Sequence, residues 1–257
     1  MMFTDDQLSH DAFLCGRLHL WQPIKGYRAA TDPVLLAAAC PAKPGQSVLD
    51  LGCGAGAAAL CLGRRVPGLS LYGLELQEAY ATLARRNGAE NAIAFHVETG
   101  DLATMPATLK IGFDHVIANP PYYPRTGSPS PTQNRDTALR AETPLADWVH
   151  AAARRLKPGG WLTLIAGADS LPDLLSCLGP RPGPRLGSAS VLPLAPREGR
   201  PALRILLRAR KTGRAAFRLL APFVIHAGPA HDGDRESYTP KANAVLRDAA
   251  DLSAEFR

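Results

Sequence analysis

The chain has 257 residues, 46% of them hydrophobic and 20% charged, with a formal net charge of +6, a composition typical of a soluble globular protein with one large α/β domain. No stretch reaches the roughly 18 uninterrupted apolar residues that a membrane span requires, and the first residues lack the basic and apolar segments of a signal peptide. The five cysteines form no CxxC pair, and their odd number suits a reducing compartment, so we expect a cytoplasmic protein with no metal site and no membrane partner.

The first predicted elements lie ahead of a glycine-rich turn. Residues 16–22 alternate between apolar and polar side chains and predict a short strand. A helix follows, for which we expect Asp32 to be the N-cap and Pro33 to occupy the first helical position, with an apolar run to Ala39. We therefore assign residues 1–44 to an N-terminal strand and helix extension.

From residue 45 onwards, strands alternate with helices. Predicted strands cover 48–51, 71–75, 92–97, 113–118 and 161–166. The first predicted core helix ends near Arg65, and the second runs from about Gln77 to a left-handed cap at Asn87-Gly88. Two further helices are predicted at 145–156 and 171–178. Residues 189–194 and 203–209 predict a final antiparallel pair. This order indicates a mostly parallel sheet with helices on both faces, in a core of 45–211. Residues 212–257 form a C-terminal tail that we expect to pack on the core, with a helix near 241–250.

Positive charge is concentrated towards the end of the predicted core. Residues 178–220 contain ten basic residues and one acidic residue. Such a block can collect nucleic-acid phosphates through electrostatic attraction and counterion release, and it can equally be a solvated face. The long loop 123–143 carries Arg125, Arg135 and Arg140, for which substrate phosphates are candidate partners.

The turn after the first core strand indicates a small-molecule site. It contains Asp50, Gly52, Gly54 and Gly56. Missing Cβ atoms let a ligand approach the backbone, the following helix adds partial positive charge at its N-terminus, and Glu75 at the end of the next strand can accept hydrogen bonds from ribose hydroxyls. The same residues satisfy the looser dinucleotide pattern, so an NAD-binding Rossmann oxidoreductase stays open at this point.

The tetrapeptide Asn119-Pro120-Pro121-Tyr122 follows the fourth core strand, at the edge where open α/β sheets bind ligands. An exocyclic or amide nitrogen is a poor nucleophile because its lone pair is delocalised, so a catalyst should accept hydrogen bonds from both of its N–H groups. The Asn119 side-chain oxygen and the Pro120 carbonyl can do so, while the prolines stiffen the loop. Tyr122 offers a face on which a base can stack.

Together these segments resemble motifs I to III and the active motif of the class I S-adenosylmethionine-dependent methyltransferases that act on planar NH2 groups. The resemblance implies S-adenosyl-L-methionine as the cofactor, bound by Asp50, Gly52, Gly54, Gly56, Glu75 and Asp101, and a catalytic motif of Asn119, Pro120, Pro121 and Tyr122. It also implies a Rossmann-like fold, with a seven-stranded, mostly parallel sheet that includes one antiparallel strand. No catalytic histidine is required, because methyl transfer needs in-line positioning.

Residues 16–23 and 26–36 resemble the amino-terminal block of the tRNA (adenine-N6) methyltransferases that modify adenosine beside the anticodon of a valine tRNA. This implies an RNA partner, most specifically tRNA, and places Arg28, Thr31 and Asp32 beside the cofactor and target pocket. Release-factor glutamine methyltransferases share the active motif but normally carry a longer amino-terminal helical domain. Ribosomal RNA guanine-N2 or adenine-N6 enzymes and a noncatalytic cofactor-binding scaffold stay open, as does the choice between monomer and homodimer.

Overall fold

The structure is a computed structural model that describes residues 2–121, 143–178, 185–229 and 237–257. Its strands are β1 (Leu8–Phe13), β2 (Leu18–Pro23), β3 (Ser47–Leu51), β4 (Ser70–Glu75), β5 (Phe95–Thr99), β6 (Phe113–Ala118), β7 (Leu156–Gly167), β8 (Leu186–Ala195), β9 (Arg204–Lys211), β10 (Arg218–Leu219) and β11 (Phe223–Val224). The helices are α1 (Thr31–Ala39), α2 (Ala57–Arg65), α3 (Glu78–Glu90), α4 (Leu145–Arg155), α5 (Leu171–Leu178) and α6 (Pro240–Asp248).

One sheet organises the described residues. Its order is β10-β8-β9-β7-β6-β3-β4-β5, and β11 also pairs with β8, which makes nine strands. Strand β9 runs antiparallel to β7 and β8, whereas the other pairs in this sheet are parallel. The seven strands from β8 to β5 confirm the predicted sheet with one antiparallel strand. The prediction lacked the two-residue strands β10 and β11, which come from the C-terminal tail and cover the outer edge of β8.

The central strands are apolar on both sides because helices cover both faces of the sheet. In β3, Val48 packs into a buried cluster with α1, α2 and α6. Leu49 and Leu51 pack into a second buried cluster with α4 and α5. Leu49 therefore faces away from Val48, since successive side chains of a strand point to opposite faces. The layered arrangement leaves the carboxyl ends of the parallel strands as the place for a site.

A separate two-stranded hairpin precedes α1. Strands β1 and β2 pair antiparallel, from Leu8 opposite Pro23 to Phe13 opposite Leu18. The sequence predicted a strand at β2 but missed β1. The structure contradicts the expected N-cap role of Asp32, because α1 begins at Thr31 with Ala30 in the cap position. Asp32 instead lies in the first turn, where the helix dipole favours a carboxylate, and its Oδ2 lies 3.3 Å from Nε of Arg204.

The predicted left-handed cap at Asn87-Gly88 is also wrong. Helix α3 continues through both residues to Glu90, and the nearby residue with positive φ is Ala92, at +52°. A Cβ on Gly88 would lie 3.1 Å from the Ile93 carbonyl oxygen and 3.2 Å from Phe95 Cβ. Glycine is therefore present at position 88 because the chain returns closely past the helix, and not because it ends the helix there.

Part of the basic block is buried by the C-terminal tail. Arg208 is 6% exposed, its Nε donates to the Ala39 carbonyl at 2.5 Å, and its guanidinium lies 3.8 Å from the centre of the Phe256 ring. Arg197 is 8% exposed and donates to the Gly228 carbonyl at 2.9 Å. These two arginines join the tail to the core, so they are available neither for phosphate contacts nor as part of a solvated face.

Among the helices that the structure describes, none combines the length and the apolar character needed to cross a membrane.

Candidate active site

A cavity of about 320 Å³ lies at the carboxyl ends of β3, β4 and β6. Strand β3 supplies Asp50 and the start of the glycine turn, β4 supplies Glu75, and β6 leads into Asn119. Asp101, which follows β5, is exposed at its rim. Because these strands are parallel, their carboxyl ends meet at one edge of the sheet, and residues far apart in sequence share this cavity.

The three glycines of the turn have different roles. All three adopt positive φ, with Gly52 at +66°, Gly54 at +56° and Gly56 at +89°. Gly52 lines the cavity, and a Cβ on it would lie 2.5 Å from Cη2 of Trp148. Gly54 and Gly56 lie outside the lining residues; a Cβ on Gly56 would lie 2.9 Å from Cε1 of Phe95. The turn thus needs glycine for its backbone shape and for packing, and one of the three faces the cavity.

Two acidic side chains are buried in the cavity wall. Asp50 and Glu75 are each 2% exposed. Oδ2 of Asp50 accepts the Ala59 N–H at 3.2 Å, and burial raises the pKa of Asp50 to about 8 despite that bond, with the neighbouring charge of Glu75 adding to the rise. Oε2 of Glu75 accepts the Gly54 N–H at 2.9 Å. Lys25 is the sole basic residue among the described lining, so the site suits a ligand that carries positive charge.

The motif after β6 lines the same cavity. Asn119 and Pro121 are half-buried and Pro120 is buried. Nδ2 of Asn119 donates to the Tyr27 hydroxyl at 3.1 Å. The remaining predicted residues of this region, Tyr122, Arg125, Arg135 and Arg140, lie outside the described residues. Their stacking and phosphate-binding roles stay predictions.

Three other predicted residues lie outside the cavity lining: Arg28, Thr31 and Asp32. Arg28 donates to Oδ2 of Asp11 at 2.7 Å and to the Ser9 hydroxyl at 2.9 Å, which ties it to β1. The lining residues that the sequence analysis missed include Lys25, Tyr27 and Tyr80. The sequence feature that could have indicated this part of the lining is the pair Gly26-Tyr27, which lies between β2 and α1 and belongs to neither element.

The fold and the arrangement of this cavity define a class I methyltransferase: an acidic residue at the end of the first core strand with a glycine turn after it, an acidic residue at the end of the second, and Asn-Pro-Pro after the fourth. A solved structure described as a predicted O-methyltransferase, protein Atu636 from Agrobacterium tumefaciens, superposes with a TM-score of 0.67 and 26% identity, covering 86% of this chain and 98% of that one. The methyltransferase small domain family matches residues 30–172, and the chain belongs to this family.

Relatives with named activities extend over more of the chain. A Porphyromonas gingivalis protein named tRNA1(Val) (adenine(37)-N6)-methyltransferase is 33% identical over 174 residues, 64% of this chain and 68% of that protein. A Dickeya chrysanthemi protein of the same name is 30% identical over 200 residues, 76% and 77% of the two chains. The predicted resemblance and enzyme class are confirmed, and family membership decides against the oxidoreductase alternative.

Proposed function

We propose that this protein transfers a methyl group from S-adenosyl-L-methionine to the exocyclic N6 of an adenosine in tRNA, beside the anticodon, in the cytoplasm. The observation that carries the proposal is the Asn119 amide at the cavity, adjoining the Pro120 carbonyl. An amide oxygen and a backbone carbonyl are a matched pair of acceptors for a planar NH2 group. The names of the relatives supply the choice of tRNA and of position 37.

The cavity fits the cofactor by charge. S-adenosylmethionine carries a sulfonium and an ammonium group, and two buried carboxyl groups, Asp50 and Glu75, stand in the wall. A buried carboxylate is costly unless a cation compensates it, so a cationic ligand would favour the ionised form of Asp50, whose pKa burial otherwise raises to about 8. We assign cofactor binding to Asp50, Gly52, Glu75 and Asp101, which line the cavity, and the shaping of the turn to Gly54 and Gly56. When bound, the cofactor supplies the electrophilic methyl group.

The chain's own contribution is to prepare the acceptor amine. Oδ1 of Asn119 would accept one N–H of the substrate and the Pro120 carbonyl the other, which draws electron density towards nitrogen and directs its lone pair out of resonance. Pro120 and Pro121 restrict the backbone that carries both acceptors. The methylated nitrogen loses its surplus proton to water readily, so positioning provides most of the rate and no histidine base is needed.

The test is transfer of labelled methyl from S-adenosylmethionine to total tRNA, total rRNA and release-factor protein in parallel. We expect label in tRNA that digests to N6-methyladenosine. Asn119→Ala should lower the rate by more than about a hundredfold, with cofactor affinity by calorimetry within about threefold of wild type. Asn243→Ala, on α6 outside the cavity lining, is the matched control and should have wild-type activity.

Three results would contradict the proposal. Asn119-dependent label in release factor would move the acceptor to a glutamine amide, and label in rRNA would move it to a ribosomal base. Absence of Asn119-dependent label from every pool would remove the proposed reaction and leave a protein that binds the cofactor alone.

A further inference from the structure

The segment between β2 and α1 forms one wall of the cavity. Its residues Lys25, Gly26, Tyr27 and Ala29 all contribute to the lining. Gly26 has a φ of +125°, and a Cβ on it would lie 2.8 Å from the Tyr80 hydroxyl. The segment can approach α3 this closely because residue 26 has no side chain. Its path brings an element from before the methyltransferase core next to the Asn-Pro-Pro motif.

The backbone of Tyr27 is held at both polar groups by one side chain. The Tyr27 N–H donates to the hydroxyl of Tyr80 at 3.0 Å, and that hydroxyl lies 3.4 Å from the Tyr27 carbonyl oxygen, to which it donates. Tyr80 is itself buried, and the ring of Phe3 packs edge-on against it with centroids 5.3 Å apart. Tyr27 is therefore fixed to the core through α3, although its own side chain is partly exposed.

The side chain of Tyr27 reaches from the glycine turn to Asn119. Its Cε1 lies 3.8 Å from the place that a Cβ on Gly54 would occupy, and its hydroxyl accepts from Nδ2 of Asn119 at 3.1 Å. A carboxamide has a donor at one end and an acceptor at the other. With Nδ2 directed at Tyr27, the acceptor Oδ1 is directed away from Tyr27.

We propose that Tyr27 is a positioning residue that holds the Asn119 amide in the orientation in which Oδ1 accepts the substrate N–H. This inference rests on the proposed function, since it concerns the same amide. The last side-chain torsion of asparagine is soft and roughly two-fold. Rotated by half a turn, the amide would present its own N–H groups to the substrate N–H groups, and neither could accept. In the observed orientation the Tyr27 hydroxyl accepts from Nδ2 and fixes the plane of the amide; it could hold the rotated amide only by turning its own proton towards Oδ1.

The first test is Tyr27→Phe, which keeps the ring against the glycine turn and removes the hydroxyl. We expect kcat to fall about tenfold, while KM for S-adenosylmethionine and for tRNA changes by less than about twofold. The slow reaction of the Asn119→Ala variant can be measured by single-turnover labelling over hours. Adding Tyr27→Phe to that variant should not lower the rate further, because the hydroxyl acts through Asn119. Tyr72→Phe is the matched control, since Tyr72 packs against Phe113 and lies outside the cavity lining.

A second measurement does not depend on the acceptor. The side-chain NH2 signals of Asn119, assigned by their absence from Asn119→Ala, should shift in Tyr27→Phe and stay in place in Tyr72→Phe. Unshifted signals would overturn the proposal even if no acceptor is labelled, so its failure is distinct from failure of the proposed function.

A wild-type kcat in Tyr27→Phe, or the same tenfold loss in the Asn119→Ala background, would also overturn it. The KM for tRNA could instead rise in Tyr27→Ala and not in Tyr27→Phe, with kcat unchanged in both variants. That result would indicate that the Tyr27 ring is a stacking surface for the substrate and not a positioning residue.

Discussion

Asp50 is a carboxyl group whose protonation is coupled to folding. Burial raises its pKa from the ordinary value of 3.8 to about 8. Between these two pH values the folded protein keeps a proton that the unfolded chain has released. Folding therefore takes up a proton in this window, and the contribution of Asp50 to stability falls as pH rises from about 4 to about 8. Above pH 8 the carboxyl group is ionised in both states and its contribution becomes constant.

Asp50→Asn should remove this pH dependence. The amide oxygen can still accept the Ala59 N–H, whose bond to Asp50 measures 3.2 Å, and no charge is buried. We expect the free energy of unfolding of the variant, relative to wild type, to increase by about 2–4 kcal/mol between pH 5 and pH 8, measured by urea denaturation without cofactor. Asp101→Asn, at an exposed carboxyl on the cavity rim, should follow the wild-type curve. Equal pH dependence in wild type and Asp50→Asn would show that Asp50 is ionised throughout.

At the scale of elements, α3 and its C-cap residue bind the N-terminal hairpin through two asparagines, Asn87 in the helix and Asn91 at the cap. Oδ1 of Asn87 accepts the Trp21 N–H at 2.8 Å and its Nδ2 donates to the Trp21 carbonyl at 3.1 Å. Asn91 does the same for His19, at 3.0 Å and 2.6 Å. Four residues along a helix rise about 6 Å, close to two residues along a strand. The spacing of the two amides therefore matches the spacing of alternate residues of β2. The amides supply the hydrogen bonds that the backbone of a neighbouring strand would otherwise make to β2.

Asn87→Ala should destabilise the protein more than Asn91→Ala. Asn87 is fully buried and also donates to the Ala55 carbonyl at 2.9 Å, so its removal leaves three backbone groups without this partner. We expect a loss of about 3 kcal/mol in the free energy of unfolding for Asn87→Ala and about 1 kcal/mol or less for Asn91→Ala, where water can replace the amide. Urea denaturation of both variants measures this difference. Equal losses would mean that the burial of Asn87 and its bond to Ala55 add nothing to stability.

The order of the core elements could be predicted because it follows from local patterns: apolar strands, glycine turns and amphipathic helices recur within windows of about ten residues. The site residues at strand ends were predictable for the same reason, since Asp50 and Glu75 lie in the last residues of apolar strands and Asn119 directly follows one. Strand β1 could not be predicted so well, because its register is set by pairing with β2, and β2 is held in turn by the side-chain amides of Asn87 and Asn91. Tyr27 was missed because its significance comes from Asn119, 92 residues away.

At the scale of the whole molecule, the described residues of the basic block 178–220 extend to both ends of the sheet. Strand β9 begins with Arg204 opposite Gly167, at the carboxyl end of β7, and runs to Arg210 opposite Trp161. The loop 196–203 therefore lies at the end of the sheet that holds the cavity, and residues 211–215 lie at the opposite end. Counting charge along the sequence could not separate these groups, nor could it find that Arg208 points inwards to Ala39, 169 residues away.

A matched pair of exposed arginines can test which end of the sheet meets the RNA. Arg200 lies at the cavity end and Arg214 at the other, both are exposed, and neither forms an ion pair within the described residues. If tRNA delivers its base to the cavity, its backbone must pass the cavity end, so Arg200→Glu should weaken tRNA binding several-fold. A plot of the logarithm of the tRNA association constant against the logarithm of salt concentration should also become less steep by about 0.7–0.9, the contribution of one phosphate contact.

Arg214→Glu should leave tRNA affinity within about twofold of wild type, because its charge lies on the far side of the sheet. Equilibrium binding of tRNA at several KCl concentrations, with both variants at equal net charge, separates a local contact from a general loss of positive charge. A larger effect of Arg214→Glu would place the RNA across the amino ends of the strands, where it could not reach Asn119. Equal effects would mean that the block attracts RNA through its summed field alone.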